Sequence, residues 1–431
     1  MKVDFQHSTI SPVLSFDILA LIIDIVGEDE DTALLKVLAL VCRSFLEMCS
    51  KYLFATVDLR DAVQRRRKPS SKKGFIKLLE SRPEIVKYIR KLMYKVGVND
   101  RFQSLPTDSE SSLINVDNDL LSPILPNSLR SIPRLNYLEI YASYLDWNTM
   151  DSLLTSAFLH LMNLPSMNHI DLTCINNFPL DILSYSVNLL RLDLTQVVCV
   201  DPLEEDGSPG YVVQSEITPK IRVLHISESF ETTMKLVLAK TPDGRPAFKF
   251  VDLRQLSIAF TQIEDKRFFQ HFLQNAMFLH KLELSLATDQ NLVGLHHVLF
   301  LRARTLKIFQ LSINLQTSGP DVLPLGGLCG ELEAMAGRNM LESLSFDVLV
   351  ELRHTEDFIG PIIQGIETAL VKPGCWPALK EVNLKLICLS TVTDEIGDKF
   401  CDSLQSLPEK YLSHLSEHNS IDFDYTTESW T

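Results

Sequence analysis

Five residues able to exchange protons or meet a charged partner share one setting. Glu139, Asp171, Asp193, His225 and Glu283 each sit between two large aliphatic residues, as in Leu192-Asp193-Leu194 and Leu224-His225-Ile226. Carboxylates and an imidazole so placed can take part in proton transfer or hold a basic or hydroxyl-rich surface. Catalysis needs more than this. The chain has no G-x-x-x-x-G-K-[ST] phosphate cradle, no G-x-G-x-x-G, no G-x-S-x-G elbow and no H-E-x-x-H, so the short signatures of common reactions are missing. His296-His297 has no third ligand at useful spacing. The eight cysteines (42, 49, 174, 199, 329, 375, 388 and 401) include no C-x-x-C pair. A zinc site needs such clustering. No cofactor, no metal and no catalytic residue are therefore expected, and the sequence reads as a binding protein, not an enzyme.

The elements that hold those five residues follow from the pattern around them. L-x-x-L-x-L, with other large apolar residues allowed for leucine, begins at Ile89, Leu135, Met167, Leu189, Ile221, Leu253, Leu279, Leu306, Leu341 and Leu379. Side chains alternate along a strand, so positions four and six face one way and the residue between them faces the other. The inward pairs are apolar (Leu138/Ile140, Ile170/Leu172, Leu256/Ile258). Position five is polar in nearly every copy, including Ser257, Gln310, Ser345 and Asn383. This predicts a parallel strand ladder with one wet face. Intervals run from 22 residues (Met167 to Leu189) to 46 (Ile89 to Leu135). Most exceed the roughly 20–29 of regular leucine-rich repeats, which leaves room for helices on the outer, convex side. Periodicity places such helices at 151–162, 266–273 and 358–370, with a closing helix near 392–404. Trp147 and Trp376 read as packing residues.

Composition bounds the partners. Of 431 residues, 55 are acidic and 41 basic, a net charge of −14. That argues against nucleic acid as the main partner, since phosphate backbones need a cationic surface. The opening residues lack a charged-then-apolar layout, the apolar run 13–26 is short and broken by Asp17 and Asp24, and no N-x-[ST] sequon occurs. No membrane partner is expected, and an intracellular setting with reduced thiols, cytoplasmic or nuclear, is.

Before the array lies a different kind of segment. Leu14, Ile18, Leu21, Ile22 and Ile25 recur at helical spacing and predict one buried stripe. Gly27 to Asp31 closes that helix, and Asp31 or Thr32 can cap the next, which carries Leu34, Leu35, Leu38, Val41, Cys42 and Phe45. Lys51 to Leu59 is rich in aromatic and β-branched residues. Residues 65–73, Arg-Arg-Arg-Lys-Pro-Ser-Ser-Lys-Lys, read as a solvated basic linker, or alternatively an import signal. A helix over 75–79 should stop near Pro83.

Leu14-Ser15-Phe16-Asp17-Ile18-Leu19, Val41-Cys42-Arg43-Ser44-Phe45 and Tyr52-Leu53-Phe54 resemble the F-box, of the fungal type. Ser15 stands where that family has proline, and Asp17 where it has glutamate. The resemblance implies an F-box over 11–58 that holds a Skp-type adaptor, and through it a cullin ligase, by Leu14, Ile18, Leu19, Ile22, Val41, Cys42 and Phe45. The expected organisation is α/β: that helical box, a linker over 59–74, an irregular leucine-rich-repeat-like solenoid over 75–415, and a polar tail over 416–431. The implied role is substrate recognition in a ubiquitin ligase complex, with Glu139, Asp171, Asp193, His225 and Glu283 facing an unknown protein target marked for ubiquitin-dependent degradation. The alternative is a leucine-rich-repeat binding scaffold outside any ligase, its first helices serving as a cap.

Overall fold

The computed structural model describes residues 15–60, 71–96, 123–199, 218–240, 244–260, 272–286, 295–314, 327–351, 356–389 and 402–430. Leu14, most of the basic run 65–73 and most of the helices expected at 266–273 and 392–404 lie outside them. The chain divides into two compact units. One comprises Met1–Ile140 with Asp151–Ser166, the other Tyr141–Met150 with Met167–Thr431.

In the first unit three short helices come first: α1 (Phe16–Glu28), α2 (Thr32–Ala39) and α3 (Arg43–Leu53). Ser15 caps α1, its hydroxyl accepting from Ile18 N–H at 3.4 Å, and Asp31 caps α2, accepting from Leu34 N–H at 3.0 Å. Each cap satisfies an amide that the helix itself leaves unpaired. Ile23, Leu35 and Cys49 form the buried centre, with Phe45, Met48 and Tyr52 packed around it. Strand β1 (Thr56–Leu59) then pairs in parallel with β2 (Lys91–Val96). Between them α4 (Ser71–Ser81) ends before Pro83, as the proline dictates. Helix α5 (Ile124–Arg130) is followed by the start of β3 (Tyr137–Asp146). Helix α6 (Ser152–Met162) is opened by Asp151, whose carboxylate accepts from two amides at 3.0 Å. Tyr94 and Phe158 meet edge to face at 5.1 Å inside this unit.

The second unit is the array. It runs through β4 (His169–Phe178), β5 (Arg191–Cys199), β6 (Val223–Ser227), β7 (Gln255–Phe260), β8 (Lys281–Leu286), β9 (Ile308–Asn314), β10 (Ser343–Glu351), β11 (Glu381–Leu389) and β12 (Asp422–Trp430). Each strand pairs in parallel with the next in sequence. Strand order is therefore chain order. All ten leucine-pattern copies are strands, β2 to β11, and their first residues are buried. Two intervening helices also match expectation, α6 and the helix Glu356–Val371. Trp147 packs on Phe178 at 5.0 Å, and the Trp376 ring nitrogen donates to Ala369 O at 2.9 Å; both rings are interior.

A single backbone device recurs at successive strand starts from β5 to β11. The carbonyl of the residue before one strand accepts two successive amides from the next. Arg222 O takes Arg254 N (2.8 Å) and Gln255 N (3.1 Å), Arg254 O takes His280 N (2.8 Å) and Lys281 N (3.0 Å), and His280 O takes Lys307 N (2.9 Å) and Ile308 N (3.0 Å). At the strand ends regularity fails, because β6 is short. Val197 N–H donates to the Ser229 hydroxyl at 2.8 Å and Cys199 N–H to the Thr232 hydroxyl at 3.1 Å, so side chains replace the missing ladder bonds of β5. Those hydroxyl residues are buried.

Four expectations are corrected. The stripe Ile18, Leu21, Ile22 and Ile25 is exposed, and Ile23 is the buried residue of α1. Two short helices cover one side of α1 and leave the other uncovered. The second helical segment breaks at Leu40–Cys42 into α2 and α3. Strands begin at β1, ahead of the array's expected start at residue 75. The polar tail is strand β12, which lacks leucines and instead sets Phe423 and Tyr425 in register with Val382 and Leu384. Tyr425 O–H donates to Leu404 O at 2.6 Å, and burial pushes its pKa up.

Leu256 is fully buried, whereas neighbouring Ser257 faces the other way. Leu256→Ala is expected to lower unfolding free energy by about 2–5 kcal/mol, and Ser257→Ala by less than about 0.5 kcal/mol, as measured by urea titration.

Candidate functional sites

The first candidate is an apolar plate on α1 and α2. Phe16 (59%), Leu21 (59%), Val37 (62%), Leu40 (87%) and Val41 (63%) are largely exposed, and Ile18, Ile22, Ile25 and Leu34 join them. Isolated exposed aliphatics are ordinary, but seven on two consecutive helices, with Leu40 and Val41 in the turn that follows α2, are the kind of exposure that marks an interaction surface. Among the residues expected to hold an adaptor, Ile18, Ile22, Val41 and Cys42 are exposed and Leu19 is half-buried. Phe45 packs into the core of the three helices instead. Leu14 is outside the described residues. Phe16, Val37 and Leu40 were not singled out from sequence. Val37 and Leu40 follow Leu34 at intervals of three, which is the signal that could have found them.

Behind the plate, α1 is tied to α3. Asp24 accepts from Tyr52 O–H at 3.1 Å and pairs with Lys51 at 2.7 Å. The Lys51 hydrogen bond holds the Asp24 carboxyl below its usual range. Gly27 lies under the Tyr52 ring, and a Cβ there would stand 2.4 Å from it. Glycine at this position is a close-approach residue inside α1.

The second candidate is the outward face of the strands. Asp171, Asp193, His225, Ser257, Glu283, Gln310, Ser345, Asn383 and Asp424 share one register from β4 to β12. The alternation expected from sequence is thus present, but Asp193, Glu283 and Glu139 carry counter-ions. Asp193 meets His169 Nε2 at 2.9 Å and Arg191 Nη2 at 3.0 Å. Glu283 meets Lys281 at 2.6 Å. In the first unit, Glu139 meets Arg60 at 2.8 Å and accepts from Tyr137 O–H at 2.9 Å. Asp171 also has an interaction partner. Burial alone would raise the Asp193 pKa, but His169 and Arg191 outweigh it and hold the carboxyl below its usual range.

Beyond this row the chain bends. Cys174, Gln196 and Glu228 all take left-handed backbone conformations (φ 58°, 52° and 50°). The Cys174 thiol donates to Gln196 Oε1 at 2.9 Å, and Gln196 Nε2 donates to Glu228 Oε2 at 2.6 Å. These side-chain bonds offset the cost of the strained turns. His296 pairs with buried Glu331, Nδ1 to Oε2 at 2.7 Å, and its amide donates to the same oxygen at 2.6 Å. That carboxylate caps a helix start. Among the described residues no three His, Cys, Asp or Glu side chains are grouped to hold a metal ion. No helix among them is long and apolar enough to cross a membrane.

A depressed carboxyl pKa contributes stability above the unfolded value and loses it as pH falls through the folded one. The stability advantage of wild type over Asp193→Asn is therefore expected near neutral pH and should fade on acidification below about pH 4. Urea midpoints of both chains from pH 7 to pH 2.5 measure it, and a pH-independent gap contradicts it.

No family model matches the sequence, and no curated protein matches it. Among solved structures, the crystal structure of an internalin from Listeria monocytogenes is similar at 10% identity and a TM-score of 0.28, covering 84% of this chain and 94% of that one.

Proposed function

We propose that the chain is a substrate receptor of a Skp–cullin–F-box type ubiquitin ligase. Its first three helices dock on the Skp-type adaptor, and its strand array holds a protein target for ubiquitination. The observation that carries this reading is the plate on α1 and α2. A sealing cap ends an array with a polar outer face, whereas this face is aliphatic and exposed through Leu21, Val37, Leu40 and Val41. The sequence block Val41 to Phe45, which resembles the F-box, supplies part of the plate through Val41 and part of the core beneath it through Phe45. The receptor performs no chemistry. It raises the local concentration of target lysines near a conjugating partner, which is catalysis by proximity.

The alternative, a binding scaffold outside any ligase, needs only the array and leaves the plate without a role. Purified chain should capture a purified Skp-type adaptor. Leu21→Asp with Val41→Asp should weaken capture by about tenfold or more, with circular dichroism unchanged because both positions are exposed. Folded wild type that fails to bind any such adaptor would favour the scaffold.

A further inference from the structure

The start of the strands in the second unit carries a charge opposite to that of the chain as a whole. Arg222, Arg254, His280 and Lys307 each immediately precede register-matched residues of β6, β7, β8 and β9, and all four are exposed. Strands lie about 4.8 Å apart, so the row is roughly 14 Å long. Lys220 and Lys249, joined by a parallel backbone bridge, extend it beside β6. Lys307 is shared with Glu342, at 2.6 Å. Arg222 and Arg254 have no acidic partner among the described residues. This contrasts with Asp193 and Glu283 on the outward face, whose charges are paired.

Apolar side chains lie directly alongside. Met277 (55%) and Phe278 (51%) precede His280, and Val251 precedes Arg254, all three exposed. The backbone here is already engaged, since each carbonyl of the row accepts two amides. A partner therefore cannot add as a strand at this edge and must be read by side chains.

We propose that this edge binds a short acidic polypeptide segment bearing an apolar side chain, its carboxylates on Arg222 and Arg254 and its apolar group on Met277 and Phe278. An extended segment on the order of five residues spans the row. Two observations favour a peptide over nucleic acid. Phe278 and Met277 supply an apolar contact beside the cations, and a chain of net charge −14 repels a long polyanion that outruns the patch. This inference adds the target's chemistry to the receptor reading but rests on the second unit alone.

The probe is a fluorescent peptide alternating glutamate with leucine and phenylalanine, titrated against the full chain at low and at physiological salt. An all-glutamate peptide of equal length and an oligouridylate of equal charge are the comparisons. Wild type should bind the mixed peptide best, with affinity falling as salt rises. Arg222→Glu with Arg254→Glu should weaken it by about tenfold or more, and the milder Arg222→Gln with Arg254→Gln by less. Phe278→Ser should weaken the mixed peptide while leaving the all-glutamate peptide unchanged. Absent binding by wild type, equal binding by the charge-reversed chain, or tighter binding of the oligouridylate would each overturn the proposal. The charge-reversed chain keeps α1 and α2 intact, so adaptor capture tests the receptor reading separately from the peptide titration.

Discussion

One backbone arrangement sets the terms for the array: from β4 to β10, a carbonyl ahead of each strand accepts two successive amides of the next. It fixes register, and in a sheet a one-residue slip would turn every leucine outward. With register fixed, the inward residues stack as layers from Met167 through Leu379, and the outward residues fall into one row from Asp171 to Asp424. The long and unequal connections between strands can then vary, because a longer loop adds only slowly to the entropy of closure.

The same arrangement explains where charge gathers. A residue that gives its carbonyl to the column must present its side chain at the strand start. Arg222, Arg254, His280 and Lys307 do so in exposed positions. Three residues further on, the carboxylates sit beside their own cations, because residues two apart on a strand share a face: Arg191 with Asp193, Lys281 with Glu283. Acidic residues exceed basic ones overall, yet the strand starts of β6 to β9 are basic. Net charge governs how a long polyanion is met, whereas the local sign at the strand starts governs a short one.

The strands were legible in the sequence because leucine periodicity reports burial directly, and ten copies of the pattern match ten strands. Strand β12 was hidden since phenylalanine and tyrosine replace the leucines. The i, i+2 ion pairs follow from the alternation itself, since a basic residue two before a position-five carboxylate shares its face. Position two of the same motif, where Arg222 and Arg254 stand, carries no periodic apolar signal and so drew no notice. In the first three helices the spacing of Ile18, Leu21, Ile22 and Ile25 marks a stripe that faces outward. Amphipathic periodicity locates a stripe, and only the number of neighbouring elements decides whether anything covers it.

From β5 to β11 each strand is held by the one before and the one after it, through the shared carbonyl and the leucine layer. Mechanically, that makes this stretch a zipper. A load applied along the stack meets the same modest latch again and again, instead of one large interlocked core, and yields rung by rung. Pulled from one end, the stretch would surrender length gradually and could close again from any surviving rung.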